Sequence, residues 1–354
     1  ISPEILTTEW IGSRKYSIVK FQKNYVYFME FINILTRIGH DIESLLMGNV
    51  VIESSTLKVI LSMCQNLKVL ELPKIKKEAF LMNLPSLDLD ELNCDAESGR
   101  ALRLLNSSST RRLIFQNTQE SDLDFLLDFL KLQKNLEFLV VNCEKLILKP
   151  FDTNALNNVD FRLKNLMLSG IEVSDTQNFL EFINNHAETL THVRLYTSST
   201  SMLNCLKNVK MIKKLIFLSF FTQEDLNVDA RQNVEELDFE CPIEFDLALK
   251  FPNLIKLKVE FDNDFLKLGR FEKLTHLEVE AINNEILDVS ISAMTKFIRF
   301  RSIKFAAMPH FENFQFEEIT LIDCKNVGWL AKFLAMDETR VKKLKIKSME
   351  MSSE

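Results

Sequence analysis

The sequence predicts an α/β solenoid of horseshoe shape, with a parallel β-sheet on the concave face and helices and irregular segments on the convex face. Three observations lead to this fold class. A six-residue apolar motif recurs along most of the 354-residue chain, its copies are nearly evenly spaced, and several segments between them have helical apolar periodicity. The chain is 46% hydrophobic and contains only 7 Gly and 7 Pro, so no linker divides it.

The motif has apolar residues at its first, fourth and sixth positions, as in LEFLVV (136–141) with Leu136, Leu139 and Val141. A short strand explains this spacing, because its fourth and sixth side chains point to one face and its third and fifth to the other. One strand cannot bury its inner edge alone, so we expect the strands to stack side by side. The fourteen copies are IESLLM (42–47), LKVLEL (67–72), LDELNC (89–94), TRRLIF (110–115), LEFLVV (136–141), LKNLML (163–168), LTHVRL (190–195), IKKLIF (212–217), VEELDF (234–239), LIKLKV (254–259), LTHLEV (274–279), FRSIKF (300–305), FEEITL (316–321) and VKKLKI (341–346).

The copies follow one another at a mean interval of about 23 residues, since thirteen steps separate the fourth-position residues Leu45 and Leu344. The step from Ile303 to Ile319 is only 16 residues, which makes the register between 286 and 320 the least regular. The segment ILDVSI (286–291) also fits the motif, and we interpret it as part of a connection.

A helix is expected before the first copy. Residues 25–38 have apolar side chains at helical spacing and are followed by Gly39, a residue type that often ends helices. We interpret this helix as a cap over the first strand. The predicted organisation is therefore a lead-in and capping helix at 1–40 and an array of about 14 irregular repeats at 41–354.

Three connections also have helical periodicity, at 54–65, 121–131 and 174–183. The second begins with the capping pattern Ser121-x-x-Asp, and the third with Ser174-x-x-Gln. We expect these segments to be amphipathic helices on the convex side.

A period in the twenties with the form L-x-x-L-x-L resembles the leucine-rich repeat family, and the resemblance extends over roughly 40–354. The ninth position of that family's repeat is usually Asn or Cys, and here it matches clearly only at Cys324, so irregular turns are expected after the strands. The resemblance implies an extended protein-binding surface.

Irregular repeats with helical connections look like the substrate-receptor part of F-box proteins, which bring targets to a cullin-type ubiquitin ligase. Residues 1–24 look like the segment that joins an F-box to the first repeat. This resemblance implies an F-box upstream of Ile1, with an F-box adaptor and a cullin as partners. The alternative is a ribonuclease-inhibitor-like or other regulatory repeat protein without a link to ubiquitin.

Composition and motifs argue against several classes of function. The net charge of −7 and the pI of about 5.5 argue against a protein that binds nucleic acid or a membrane surface. Six widely spaced cysteines are typical of buried thiols in a reducing compartment, which predicts a cytoplasmic or nuclear protein. The sequence contains no glycine-rich phosphate loop, HExxH or GxSxG. We therefore expect a protein partner and no catalytic residue, cofactor or metal.

Candidate partner-binding residues come from the third and fifth motif positions, which face away from the core. In the fourth to eighth copies these positions combine apolar and aromatic side chains with basic ones. Such a stripe is typical of interaction sites, although the same residue types also suit β-strands generally, so both interpretations stay open. The predicted residues at these positions are Arg112, Ile114, Phe138, Val140, Met167, Arg194 and Ile216, together with Tyr196 and Leu218, which lie two positions further along their strands.

From the ninth copy onward, the outward-facing pairs alternate in charge from one strand to the next. This pattern predicts charge pairing across strands, with each exposed pair contributing about 0–1 kcal/mol. The pairs are Glu236/Asp238, Lys256/Lys258, His276/Glu278, Ser302/Lys304, Glu318/Thr320 and Lys343/Lys345.

Overall fold

The computed structural model divides the chain into two compact units, Ile1–His186 (unit 1) and Ala187–Glu354 (unit 2). It describes residues 18–20, 28–48, 50–75, 84–95, 98–105, 108–116, 123–173, 175–196, 205–218, 233–240, 247–261, 271–281, 286–287, 290–291, 293–305 and 308–347.

Unit 1 is built on a parallel β-sheet whose strand order follows the chain. Its strands are β1 (Ile18–Lys20), β2 (Ser44–Leu46), β3 (Val51–Ile52), β4 (Val69–Glu71), β5 (Lys74–Ile75), β6 (Asp88–Asp95), β7 (Ser109–Gln116), β8 (Phe138–Phe151) and β9 (Asn165–Val173). The sheet has the order β1-β2-β4-β6-β7-β8-β9, and these neighbours are parallel. Strands β3 and β5 form a separate parallel pair.

Unit 2 repeats this organisation. Its strands are β10 (His192–Tyr196), β11 (Lys214–Leu218), β12 (Glu236–Glu240), β13 (Lys256–Phe261), β14 (His276–Ala281), β15 (Ile286–Leu287), β16 (Ser290–Ile291), β17 (Phe297–Arg301), β18 (Lys304–Phe305), β19 (His310–Phe311), β20 (Gln315–Ile322) and β21 (Arg340–Lys347). The sheet has the parallel order β10-β11-β12-β13-β14-β17-β20-β21. Two short pairs, β15 with β18 and β16 with β19, lie outside it.

The strand register aligns equivalent motif positions. Leu139 pairs with Leu113 on one side and with Leu166 on the other, and all three side chains are buried. The adjacent outward residues Phe138 and Val140 remain half-buried. The predicted alternation is therefore confirmed here. Each unit is α/β with a parallel sheet in chain order, which is compatible with a solenoid-like fold.

The helices lie in the connections, as the sequence predicts. They are α1 (Phe28–Ile38), α2 (Ser54–Met63), α3 (Leu123–Lys131), α4 (Thr176–Asn185), α5 (Leu247–Lys250) and α6 (Trp329–Leu334), with 3₁₀ turns at Gly39–Asp41, Gly99–Leu105, Thr153–Leu156 and Leu206–Asn208. The apolar side of each predicted connecting helix is buried, for example Leu57 of α2, Leu126 of α3 and Phe182 of α4.

The predicted cap of α4 is wrong by one residue. Asp175 is the N-cap, and its carboxylate accepts a hydrogen bond from the Gln177 amide at 2.7 Å. Asp and Ser cap equally well, so residue type alone does not favour Ser174 over its neighbour Asp175. The other predicted cap, Ser121, lies outside the described residues.

The sequence prediction missed β1, which lies in the lead-in segment. Ile18, Val19 and Lys20 pair with Ser44, Leu45 and Leu46 of β2. The edge of the first motif strand that α1 alone was expected to cap is therefore paired with another strand. The three residues of β1 belong to no copy of the motif, so the repeat search had no signal for them.

The predicted register between 286 and 320 needs a correction. The sheet strand is β17, in which Ile298 pairs with Leu277 and with Ile319. The copy is therefore TKFIRF (295–300) and not FRSIKF (300–305), and both neighbouring steps become 21 residues. The interpretation of 286–291 as a connection is confirmed, because β15 and β16 lie outside the main sheets.

The misassigned outward pair Ser302/Lys304 lies beyond the end of β17. Ser302 has a left-handed backbone conformation with φ of 56°, and it turns the chain out of the sheet. Lys304 then belongs to the short pair formed by β18 and β15. The outward residues of this repeat are Phe297 and Arg299.

Asparagines that directly precede the motif join successive repeats. The Asn66 side-chain amide donates to the His40 carbonyl at 2.7 Å, and the Asn233 amide donates to the Lys210 carbonyl. Each bond spans one repeat, which satisfies a backbone acceptor in a turn. One such bond in each unit therefore links neighbouring repeats at the turn before the strand.

Candidate protein-interaction surface

The predicted residues of unit 1 come together on three neighbouring strands. Ile114 of β7 pairs in register with Val140 of β8, which pairs with Met167 of β9. Phe138 lies two positions before Val140 on the same face, and all four side chains are half-buried. Since parallel strands lie about 4.8 Å apart, this apolar row (Ile114, Phe138, Val140 and Met167) is about 10 Å wide.

Arg112 borders the apolar row at its β7 end. Its guanidinium carbon lies 5.9 Å from the centre of the Phe138 ring, within the range of a cation–π contact. Its Nε lies 3.5 Å from a carboxylate oxygen of Glu91 on β6. The charge is therefore held in place but remains accessible, with 48% of the side chain exposed.

Neutral polar groups border the row on the other side. Gln116, Asn142 and Ser169 are aligned in register at the next outward position of β7, β8 and β9. Asn165 lies beside Phe138. The row is an apolar patch framed by hydrogen-bonding groups, which is the usual composition of a protein interface.

Glu137 links the three strands just before they enter the row. Arg111 donates to its carboxylate at 2.8 Å and Lys164 at 2.9 Å. The hydrogen bond from Lys164, followed by that from Arg111, lowers the pKa of Glu137. This cluster bridges the three strands that present the row.

The other four predicted residues lie in unit 2, on β10 and β11. Arg194 is in register with Ile216, and Tyr196 with Leu218. Arg194 and Ile216 are half-buried. The Arg194 Nε is buried and has no hydrogen-bond partner within the part of the chain that the structure describes. The side chains of Tyr196 and Leu218 lie outside that part, so the structure tests their strand positions alone.

Ion pairs join neighbouring strands across the outward face of unit 2, as the alternating charges predict, with Arg299 and Arg301 in place of the predicted Lys304. Every pair joins neighbouring strands at an outward position. The N–O distances are Lys214–Glu236 3.0 Å, Lys256–Glu236 2.7 Å, Lys258–Asp238 3.4 Å, Arg299–Glu278 3.2 Å, Arg301–Glu280 3.3 Å, Lys343–Glu318 3.1 Å and Lys345–Glu318 2.7 Å.

The ladder also contains a ring stack that the sequence analysis did not predict. The His276 ring stacks on Phe297, with centroids 4.3 Å apart. It lies in an open groove of about 350 Å³ that is also lined by Lys256, Glu278 and Arg299. Burial lowers the pKa of His276, with a smaller contribution from Lys256. The misassigned register hid this pair, because it placed Ser302 where Phe297 lies.

Glu318 gives the ladder a measurable pH dependence. Hydrogen bonds from Lys345, Lys343 and Thr320 lower its pKa to about 2. Because this folded-state pKa is below that of an unfolded glutamate, the resulting stability is present at neutral pH and is lost as the pH falls from about 4 to about 2. A carboxyl-carbon NMR titration is expected to give a midpoint near 2 for Glu318.

A matched pair of variants tests whether the lysine hydrogen bonds cause the lowered pKa of Glu318. Lys345→Met should raise the Glu318 midpoint towards the ordinary value of about 4.3. Lys342→Met should leave it unchanged, since Lys342 pairs with Glu317 at 2.8 Å. An ordinary midpoint in the unmodified chain would contradict the ladder geometry.

The described residues contain no group of three His, Cys, Asp or Glu side chains arranged to hold a metal ion. His186 is a core residue, stacked on Phe161 with centroids 5.4 Å apart, and burial lowers its pKa to about 3.

Among the described helices, none is long and apolar enough to span a membrane. Burial raises the pKa of the Cys64 and Cys205 thiols to about 11.

No family model matches the chain, and no curated protein is significantly similar to it.

Proposed function

We propose that this protein is a non-catalytic interaction module that binds a protein partner through the apolar row of unit 1. The observation that carries the proposal is the lateral alignment of Ile114, Val140 and Met167, with Phe138 beside them, on the face of the sheet opposite the core. These four apolar side chains are only half-buried although fully buried positions lie one residue away.

The composition of the surface indicates what the partner presents. Phe138 and Arg112 belong to residue types enriched among interface hot spots, and they already contact each other. A partner with an apolar anchor would cover the row. A carboxylate beside that anchor would meet Arg112 in competition with Glu91, and the polar border would pair with groups around the anchor.

Site-specific photo-crosslinking tests this proposal. A benzophenone amino acid at Val140 of the full-length protein, expressed in its own cells, is expected to form a covalent adduct with one dominant protein. The same group at Val69, an outward and half-buried position on β4, is the matched control and should form none with that protein. Equal adducts at both positions, or no adduct at Val140, would contradict the proposal.

A finer proposal is that the repeats are leucine-rich repeats and that the protein is the substrate-recognition part of an F-box-type ubiquitin ligase receptor in the cytoplasm or nucleus. Its support is the fourteen-copy motif and the resemblance of residues 1–24 to the segment that follows an F-box. Affinity purification of the full-length protein should then recover an F-box adaptor and a cullin. Recovery of a single enzyme without them would instead favour an inhibitor-like regulatory protein.

A further inference from the structure

Strand β21 differs from the other strands of unit 2 at its inward positions. Leu344 is 38% exposed and Ile346 is 42% exposed, whereas their register partners Ile319 and Leu321 on β20 are 1% and 0% exposed. On the other strands of the unit 2 sheet, the residue at the fourth motif position is at most 2% exposed. Two large apolar side chains that belong to the core row are therefore partly open to solvent.

Strand β21 is also strongly cationic. Its eight residues include five basic side chains and no acidic one. Lys342 pairs with Glu317 on the β20 side, and Lys343 and Lys345 share Glu318. Two carboxylates thus face three lysines, while Arg340 and Lys347 add further positive charge to the strand.

Inside the unit 2 sheet, a cationic strand lies between two strands that carry carboxylates. The cationic strand β13 lies between β12 and β14, which supply Glu236 and Asp238 on one side and Glu278 on the other. The cationic strand β17 lies between β14 and β20, with Glu278 and Glu318. Each has carboxylates on both flanking strands. Strand β21 has them on one side only, since no strand pairs with its other edge among the described residues.

We propose that the edge of β21 that no described strand covers binds an extended segment of another protein in which acidic residues alternate with large apolar ones. Such a segment adds to the sheet as a further strand through backbone hydrogen bonds. Its apolar side chains cover Leu344 and Ile346, and its carboxylates lie beside Lys343, Lys345 and Lys347. This surface belongs to unit 2 and is independent of the apolar row.

Charge argues against a second copy of the chain as the occupant. Pairing of two β21 edges would place lysines opposite lysines, and like charges at opposed positions destabilise a sheet. The β1 edge of a second copy offers Ile18, Val19 and Lys20, which include no carboxylate.

A peptide taken from this chain is a suitable probe. Residues 234–240, VEELDFE, include the acidic strand that pairs with a lysine strand inside the sheet. We expect the fluorescently labelled peptide to bind the intact chain in an anisotropy titration. A peptide with the same apolar residues and its four acidic residues replaced by lysine should bind at least about tenfold more weakly, and salt should weaken the acidic peptide's binding.

Two double variants locate the binding site. Leu344→Asp with Ile346→Asp should weaken binding of the acidic peptide about tenfold or more. The two aspartates remove the apolar surface that the peptide covers, and they repel its carboxylates. The control is Leu334→Asp with Met336→Asp, which alters two apolar residues of the same repeat that are 41% and 39% exposed but lie outside the strand. This control should bind the peptide as the unmodified chain does.

The proposal is overturned if neither peptide binds, if both bind equally, or if both double variants lose binding to the same extent. A concentration-dependent dimer in sedimentation that the Leu344→Asp/Ile346→Asp variant alone abolishes would overturn it in favour of a second copy. Substitutions in the apolar row of unit 1 should not affect peptide binding, so failure here is distinguishable from failure of the proposed function.

Discussion

Replacing Leu139 with aspartate is expected to unfold unit 1. Leu139 is fully buried on β8, between Leu113 and Leu166 on the neighbouring strands. A carboxylate at this position has no described polar partner, and such a burial costs on the order of 4 kcal/mol or more. That is a large part of the roughly 5–15 kcal/mol that stabilises a typical domain.

The measurement is urea unfolding followed by circular dichroism, together with hydrogen exchange of the unit 1 amides. Phe138→Asp is the matched control, because it places the same charge one residue away on the outward face beside Arg112. That change should lower the free energy of unfolding by only about 1 kcal/mol. A normal unfolding transition in Leu139→Asp would show that the register of β8 is wrong.

The double variant Phe138→Asp with Met167→Asp is expected to abolish capture of the partner by the full-length protein. Both side chains belong to the apolar row, and the change replaces an apolar surface with two charges that an apolar anchor cannot solvate. Because both positions are only half-buried, the unit should stay folded and the midpoint of the thermal transition should fall by only several degrees. Quantitative affinity purification with stable-isotope labelling measures the loss.

The matched control for this variant is Leu46→Asp with Val69→Asp. These residues lie at outward, half-buried positions of β2 and β4, in the same unit and on the same face, but outside the apolar row. The control adds the same charge and should retain the partner. Loss of capture in both double variants would indicate general damage to unit 1, and retention in both would reject the apolar row as the binding surface.

Most of the strand register follows from the sequence because burial differs so sharply between adjacent residues. Leu139 and Val141 are buried while Phe138 and Val140 are not, and a motif with apolar residues at positions four and six encodes that difference directly. The register failed around β17 for a physical reason. Ile298 and Phe300 are buried in the sheet, but Ile303 and Phe305 are buried as well, so apolar pattern alone does not choose between them.

The candidate surface was predictable to a similar degree. Aligning the motif copies places Ile114, Val140 and Met167 side by side, which the strand pairing confirms. The contacts that orient Arg112 were not predictable, since the position of its guanidinium depends on side-chain rotamers and on Glu91 one strand away. The stack of His276 on Phe297 depended on the register that the motif search misassigned.

The agreement between strand order and chain order has a kinetic consequence for each unit. Every main-sheet pair within unit 2 joins segments only one repeat apart, such as Leu237 with Leu257 and Leu277 with Ile298. Closing a loop of this length carries a modest entropic cost, and that cost is nearly the same for each successive pair. Folding can therefore start at any adjacent pair and advance by one strand at a time in either direction. During synthesis, each main-sheet strand emerges after the main-sheet strand that precedes it in the order, so one of its partners is already available.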